Sequence, residues 1–525
     1  VIRLNLSSSG LNGTLDHLSF SSFLNLACFE LSLNNFSGIT LSTIVHMSKL
    51  VYLDFSSNKF TGKIPLEIGE LRNLSTLHFS AIFILNSNNI SGPIPHQLGN
   101  LYYLEKLYMN TSYLTGFIPE TLASIKNLIV LSLYDNRLNG SIPRGIGDMT
   151  SLIWVELQLN DLSGLIPLSL GKLRSLLVLH LHSNKLSGPI PKELGNMTSL
   201  SNLQLGNNQL CDSIQLKLVE ILISNNSFTN ILPDEICNGG KLEYLLAGNN
   251  KLTGQSPKSF LPEMFPQGLG VYPHLNYINL SDNQLYGEIS DNWSKVPTSI
   301  GNLIHLEVLH LSSNNLGRDI PEEFGRISRT GRLILSNNQI YCVLPQDLGL
   351  LAHILYLDFS INNHNSLIKD IPYGLSSMSS LETLNISHNN PSGYIPKTFE
   401  SMNGLLNVNL SYNRLQGQLS KSKVFMDLPI EALQGNEDLC GNVSGLKQCA
   451  SESHSPNRKL KLALVISLPL LGALLLGGLV GLFIFHSWRT KRLPLIHHVE
   501  EHKHNKSYFS VSTFNGRETY DEILN

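Results

Sequence analysis

Two interleaved series of residues combine recognition chemistry with regular spacing. Tyr108, Ser132, Glu156, His180 and Gln204 recur every 24 residues, and Asn110, Tyr134, Gln158, His182 and Gly206 follow two residues later. Trp154 sits two residues before Glu156. Rings offer stacking, amides and hydroxyls offer hydrogen bonds, and one carboxylate with two imidazoles offers charge. The set suits non-covalent capture of a ligand. His180 and His182 would lie about 7 Å apart on one strand face. Protonating them would add positive charge beside Glu156.

A 24-residue spacing implies a scaffold that repeats with that period. Leu128, Leu131, Leu133, Asn136, Leu138, Gly140, Ile142 and Pro143 reappear as Leu152, Val155, Leu157, Asn160, Leu162, Gly164, Ile166 and Pro167. They return as Leu176, Leu179, Leu181, Asn184, Leu186, Gly188, Ile190 and Pro191. A fixed period in this range marks a solenoid. The L-x-L pair predicts a short strand with its leucines inward and its x residues outward. The two series above are those x residues, so they should line one face. The asparagine amide can hydrogen-bond backbone groups of neighbouring coils that curvature leaves unpaired. The glycine opens backbone conformations closed to other residues, and Ile-Pro sets a stiff extended segment. A single coil cannot bury its apolar face alone; a stack can.

The pattern L-x-x-L-x-L-x-x-N-x-L-x-G-x-I-P resembles the plant-specific leucine-rich repeat of receptor-like kinases and receptor-like proteins. The resemblance implies an α/β repeat solenoid: a right-handed superhelix with a concave parallel β-sheet serving as a ligand-binding ectodomain. The segment GVYPHLNYINLSDNQLYGEISDNW (Gly270–Trp293) resembles a block in receptor kinases of the MDIS1-interacting type.

In chain order, residues 1–425 read as about seventeen coils, beginning at VIRLNLSSSGLNGTL with Ser9 at the asparagine position. The family's signal peptide and cysteine-bearing cap are not in the sequence, and an uncapped coil exposes an apolar edge. The expectation is therefore a truncated N-terminus. Asn58 to Asn88 spans 30 residues, with Phe83-x-Leu85 available as the strand pair. A bulge and a displaced exon boundary both fit that stretch. Ser112 again replaces asparagine, and spacing is irregular at 210–305.

Residues 426–457 read as a C-terminal cap and linker. LQGNEDLCGNVSGLKQC (433–449) resembles the cap of these ectodomains, which implies a Cys440–Cys449 disulfide and an oxidising compartment. Cys28, Cys211, Cys237 and Cys342 read as small buried apolar residues.

Residues 458–488 read as a transmembrane helix and its flanks. Leu462 to Phe485 contains no charge and, at about 1.5 Å per residue, exceeds a ~30 Å hydrocarbon core. Basic residues flank both ends almost equally, so charge alone does not orient it. Fourteen N-x-S/T sequons precede it, with Asn12, Asn73, Asn110, Asn196 and Asn442 as candidate glycan sites, and only Asn505 follows. The N-terminal side should therefore be extracellular at a plasma membrane. Residues 489–525 read as a disordered cytoplasmic juxtamembrane segment.

With a net charge of −3 and no concentrated Lys or Arg, nucleic-acid binding is not expected. No Gly-rich loop, H-R-D or D-F-G occurs, so the sequence carries no kinase motifs. No cofactor is implied; His497, His498, His502 and His504 read as a solvated linker rather than a metal site. The resemblance implies a secreted peptide ligand, a leucine-rich repeat co-receptor kinase and a lipid bilayer as partners. Two other readings are a kinase-less receptor-like protein or decoy, and a secreted wall inhibitor, against which the apolar span argues.

Overall fold

The computed structural model describes residues 2–449 and 471–484, except 40–41, 72–73, 75–80, 215–219, 233–241, 256–273, 289–304, 319, 321, 342, 363–369 and 420–421. The chain divides into two units, Val1–Cys449 and Ala450–Asn525.

In the first unit each regular coil opens with a strand of three to five residues. The middle apolar residue points inward: Leu131, Val155, Leu179 and Leu203 are at most 1% exposed. Successive strands pair in parallel into one 17-stranded sheet, from Arg3–Asn5 to Asn407–Asn409. The chain then turns at a residue with left-handed backbone, such as Asp135 (φ 54°), Leu159 (φ 56°) or Ser183 (φ 56°).

The repeat asparagine follows that corner. The Asn160 amide shares its N–H donors among Leu133 O of the preceding coil (3.0 Å), Leu157 O (3.2 Å) and Gln158 O (3.2 Å). Its Oδ1 accepts the Leu138 N–H at 3.0 Å. Each such residue stitches one coil to the one before. Short strands then form further parallel sheets of ten, four and three strands. The glycines there, Gly140 (φ 74°) and Gly164 (φ 78°), occupy the left-handed region. Ile-Pro leads in extended form into a one-turn 3₁₀ helix, Arg144–Asp148 in one coil.

The core is a continuous line of stacked side chains. Leu128, Leu131, Leu133, Leu138, Ile142 and Ile146 of one coil are each at most 2% exposed. Burying each contributes about 1.5–3 kcal/mol, but only when both neighbouring coils are in place.

The irregular stretches still stack. Phe83 and Leu85 are buried, and Ala81–Ile84 joins the sheet with a register shift between Ala81 and Ile82. Across the irregular centre, Glu220–Leu222, Tyr244–Leu246, Tyr277–Asn279 and Val308–His310 continue the sheet without a break. The Asn283 and Asn314 amides still reach the preceding coil, at Ala247 O (3.0 Å) and Leu280 O (2.9 Å). The surplus residues of these coils fall largely at 256–273 and 289–304, outside the described residues.

At the C-terminal end, Lys423–Met426 forms a short helix and Asp438–Cys440 adds a last strand beside Arg414–Gln418. Cys440 and Cys449 are joined by a disulfide. Cys28 and Cys211 are free and half-buried, not fully buried as the sequence suggests. Cys237 and Cys342 lie outside the described residues.

The second unit contains a helix at 471–484. No described helix is long and apolar enough to cross a membrane. The expected spanning helix over 462–485 falls only in part on these residues; 462–470 and 485, the four tail histidines and the 489–525 segment lie outside the described residues.

Candidate site on the concave sheet

Five in-register strands position the candidate residues: Leu104–Tyr108, Val130–Ser132, Trp154–Glu156, Val178–His180 and Asn202–Gln204. Because the inward leucines fix the register, the outward residues form straight rows. One row is Lys106, Val130, Trp154, Val178 and Asn202; the next is Tyr108, Ser132, Glu156, His180 and Gln204. Neighbours within a row sit about 4.8 Å apart, the spacing of paired strands.

Hydrogen bonds run along one row and between the two. The Ser132 hydroxyl donates to Glu156 Oε2 at 2.8 Å, and His180 Nε2–H donates to Asn202 Oδ1 at 3.1 Å. The His180 and His182 rings are 6.3 Å apart. Burial pushes both imidazoles toward the neutral form; the Asn202 bond and the Glu156 charge partly offset this at His180, whereas His180 adds to it at His182. Burial, and then the Glu156 carboxylate, raise the Tyr108 phenol above its ordinary value. Trp154 is 42% exposed and offers an open ring face. The patch can therefore stack, donate and accept hydrogen bonds, and present one carboxylate beside neutral imidazoles.

Three sequence expectations need correction. Asn110, Ser132 and Gln158 are not exposed lining residues; they are 3%, 1% and 8% exposed. Parallel in-register neighbours cover a side chain from both sides, so Ser132 is shielded between Tyr108 and Glu156. Asn110 is also closed to a glycan, since its Oδ1 lies 3.2 Å from Ser132 Oγ and its amide donates to Thr111 Oγ1 at 3.3 Å. Gln158 Oε1 is buried without a hydrogen-bond partner. Tyr134, Glu156, His180, His182 and Gln204 remain half-exposed in the same patch. Asn12, Asn196 and Asn442 are exposed, and Asn73 lies outside the described residues.

One signal was legible but not read. The position two before the repeat asparagine is serine in ten coils: 7, 32, 56, 224, 281, 312, 336, 360, 387 and 411. Its replacements are contiguous, as Asn86, Asn110, Tyr134, Gln158, His182 and Gly206, with Gly248 the remaining one. Where serine stands, it commonly turns back on its own strand, as in the Ser56–Asp54, Ser387–Asn385 and Ser411–Asn409 bonds. From Asn86 to His182 larger groups replace it, and Gly206 ends the stretch, so the face differs over one continuous run of coils.

A family model described as Leucine Rich Repeat matches residues 49–71, 127–149, 175–197, 217–238, 305–327 and 380–402. Among curated proteins, MDIS1-interacting receptor like kinase 2 of Arabidopsis thaliana is 35% identical over 108 residues, covering 19% of this chain and 10% of that protein. Receptor-like protein 53 of Arabidopsis thaliana is 33% identical over 186 residues, covering 32% and 18%. The matched stretches are leucine-rich repeats, similar to those of plant receptor-like proteins and kinases. The matched stretches span under a fifth of those relatives' length, and they do not separate the MDIS1-interacting subtype from the receptor-like proteins. Among solved structures, the plant peptide hormone receptor RGFR1 in complex with RGF2 superposes with a TM-score of 0.69 at 29% identity, covering 84% of this chain and 75% of that one. The Arabidopsis receptor kinase HAESA, in complex with the peptide hormone IDA and the co-receptor SERK1, gives 0.52 at 26% identity, covering 85% and 92%. The repeat chain thus shares its fold with plant peptide-hormone receptors.

Proposed function

We propose that this chain is the extracellular recognition part of a single-pass plasma-membrane receptor, and that it captures a secreted peptide on its concave sheet. The contiguous loss of serine over Asn86–Gly206, with Tyr134, His182 and the neighbouring Trp154, Glu156 and His180, carries the reading. Five strands separated by about 4.8 Å make a groove about 19 Å long, the length of about six extended residues. Stacking on Trp154 and hydrogen bonds to Glu156, His180 and Gln204 would hold such a segment. A shorter co-receptor kinase joining the bound peptide is the signalling partner on this reading. The apolar side chains of the 471–484 helix are exposed, including Leu474 (73%) and Phe483 (78%), as suits contact with lipid.

Panning a random decapeptide display library on the full chain in detergent micelles tests this. Enrichment that is lost with Trp154→Ala and Glu156→Gln, and kept with Tyr394→Ala on a different sheet, is the expected result. No enrichment, or enrichment indifferent to the concave substitutions, refutes it. The longer match to Receptor-like protein 53 favours a second reading, a receptor-like protein that relies on a partner's kinase; the same groove serves both.

A further inference from the structure

The concave rows continue past Gln204 into an acidic and aromatic group that has no salt bridge among the described residues. Asn202 is followed in register by Glu220, then Tyr244, then Tyr277. The two tyrosine rings stack with centroids 5.4 Å apart and planes 21° from parallel. Glu243 lies one residue before Tyr244 and acts on Glu220 as a like charge. Burial, and then that charge, raise the proton affinity of Glu220. The salt bridges among the described residues, Arg3–Glu30, Lys172–Asp148 and Lys185–Asp161, involve neither glutamate.

The chain completes the same arrangement elsewhere with its own cation. Further along the same row the Arg332 guanidinium lies 6.0 Å from the centre of the Tyr356 ring, one coil on, and Asp358 belongs to the same strand as that ring. On a different sheet Arg137 covers Tyr113 at 4.9 Å. At Tyr244–Tyr277 the flanking row positions are Glu220 and Val308, so the rings and carboxylates are present but the row supplies no arginine.

We propose that Glu220, Glu243, Tyr244 and Tyr277 form a subsite for an arginine or lysine side chain of the bound peptide. This rests on the peptide reading above and gives it a polarity and a register. A guanidinium over the half-exposed tyrosine pair gains cation–π attraction, and two carboxylates can accept its N–H donors. Occupation also relieves the repulsion between the glutamates. From Trp154 to Tyr244 is four strand steps, about 19 Å, so the basic residue lies about six residues from the one that stacks on Trp154.

The same decapeptide library, panned on the full chain, tests the subsite. The expected pool carries Arg or Lys at a fixed distance from an aromatic or hydrogen-bonding residue. Replacing that Arg by citrulline in a recovered peptide weakens binding about tenfold or more on the native chain. It weakens binding less than about twofold on the isosteric Glu220→Gln/Glu243→Gln chain. Glu220→Lys shifts the enrichment toward Asp and Glu. Peptides recovered without a basic preference, or with one that survives the double substitution, overturn the subsite and leave the peptide reading standing. Recovery of no peptide overturns both.

Discussion

Restoring the asparagine ladder at Ser112 should stabilise the solenoid. Ser112 occupies the repeat asparagine position, but its hydroxyl is buried and finds no partner. Its neighbours show what is missing. Asn136 donates to Met109 O at 2.9 Å and Leu133 O at 3.1 Å, and accepts the Leu114 N–H at 3.0 Å. Ser112→Asn would replace one unsatisfied group with about three such bonds. At about 0.5–1.5 kcal/mol each, less about 1 kcal/mol for ordering the side chain, the net gain is about 0.5–3.5 kcal/mol. The substitution also deletes the Asn110 sequon, which costs nothing if Asn110 is closed to glycans as its burial requires. Because repeat arrays unfold in parts, the gain should be read locally, by amide exchange over residues 85–138. Unchanged or faster exchange there would refute the view that the ladder, rather than the leucines alone, holds the coils in register. Loss of a glycan from Asn110 on mass spectrometry would refute the buried placement.

Other outcomes follow from the same geometry. Asn160→Ala should cost about 1–3 kcal/mol, measured by denaturant titration, because the Leu138 N–H loses its partner and Leu133 O loses one of its two side-chain donors. Gly147→Ala should lower the yield of folded protein sharply, since a Cβ there would meet the Ser169 carbonyl of the next coil. His180 and His182 have proton affinities lowered by burial, so below their ordinary pKa of about 6.5 the unfolded chain binds more protons than the folded one. Stability should therefore fall as pH drops from about 7.5 to about 5, and His180→Gln/His182→Gln should flatten that slope in thermal melts.

Much of this architecture was legible in the sequence because each repeat letter has a local physical role. The leucine pair, the asparagine and the left-handed glycine each act on adjacent coils, so spacing alone predicts the sheet, and Phe83 and Leu85 take their places despite the 30-residue interval. Exposure was less legible, because it depends on side chains 24 residues away in both directions. Ser132 and Gln158 sit in solvent-facing rows yet are covered by larger neighbours. The glycine after the buried Leu or Ile of the 3₁₀ turns was also missed: Gly99, Gly147 and Gly171 lie outside the left-handed region, and it is the next coil's backbone that excludes a side chain. Continuity through the irregular centre depends on strand pairing, which interval counting does not reveal.

The most direct test of peptide capture is amide exchange on the full chain with and without a library-selected decapeptide. Slowed exchange confined to the concave strands between Leu104 and Asn279 is the predicted result. Protection elsewhere on the solenoid, or none at saturating peptide, would contradict the account.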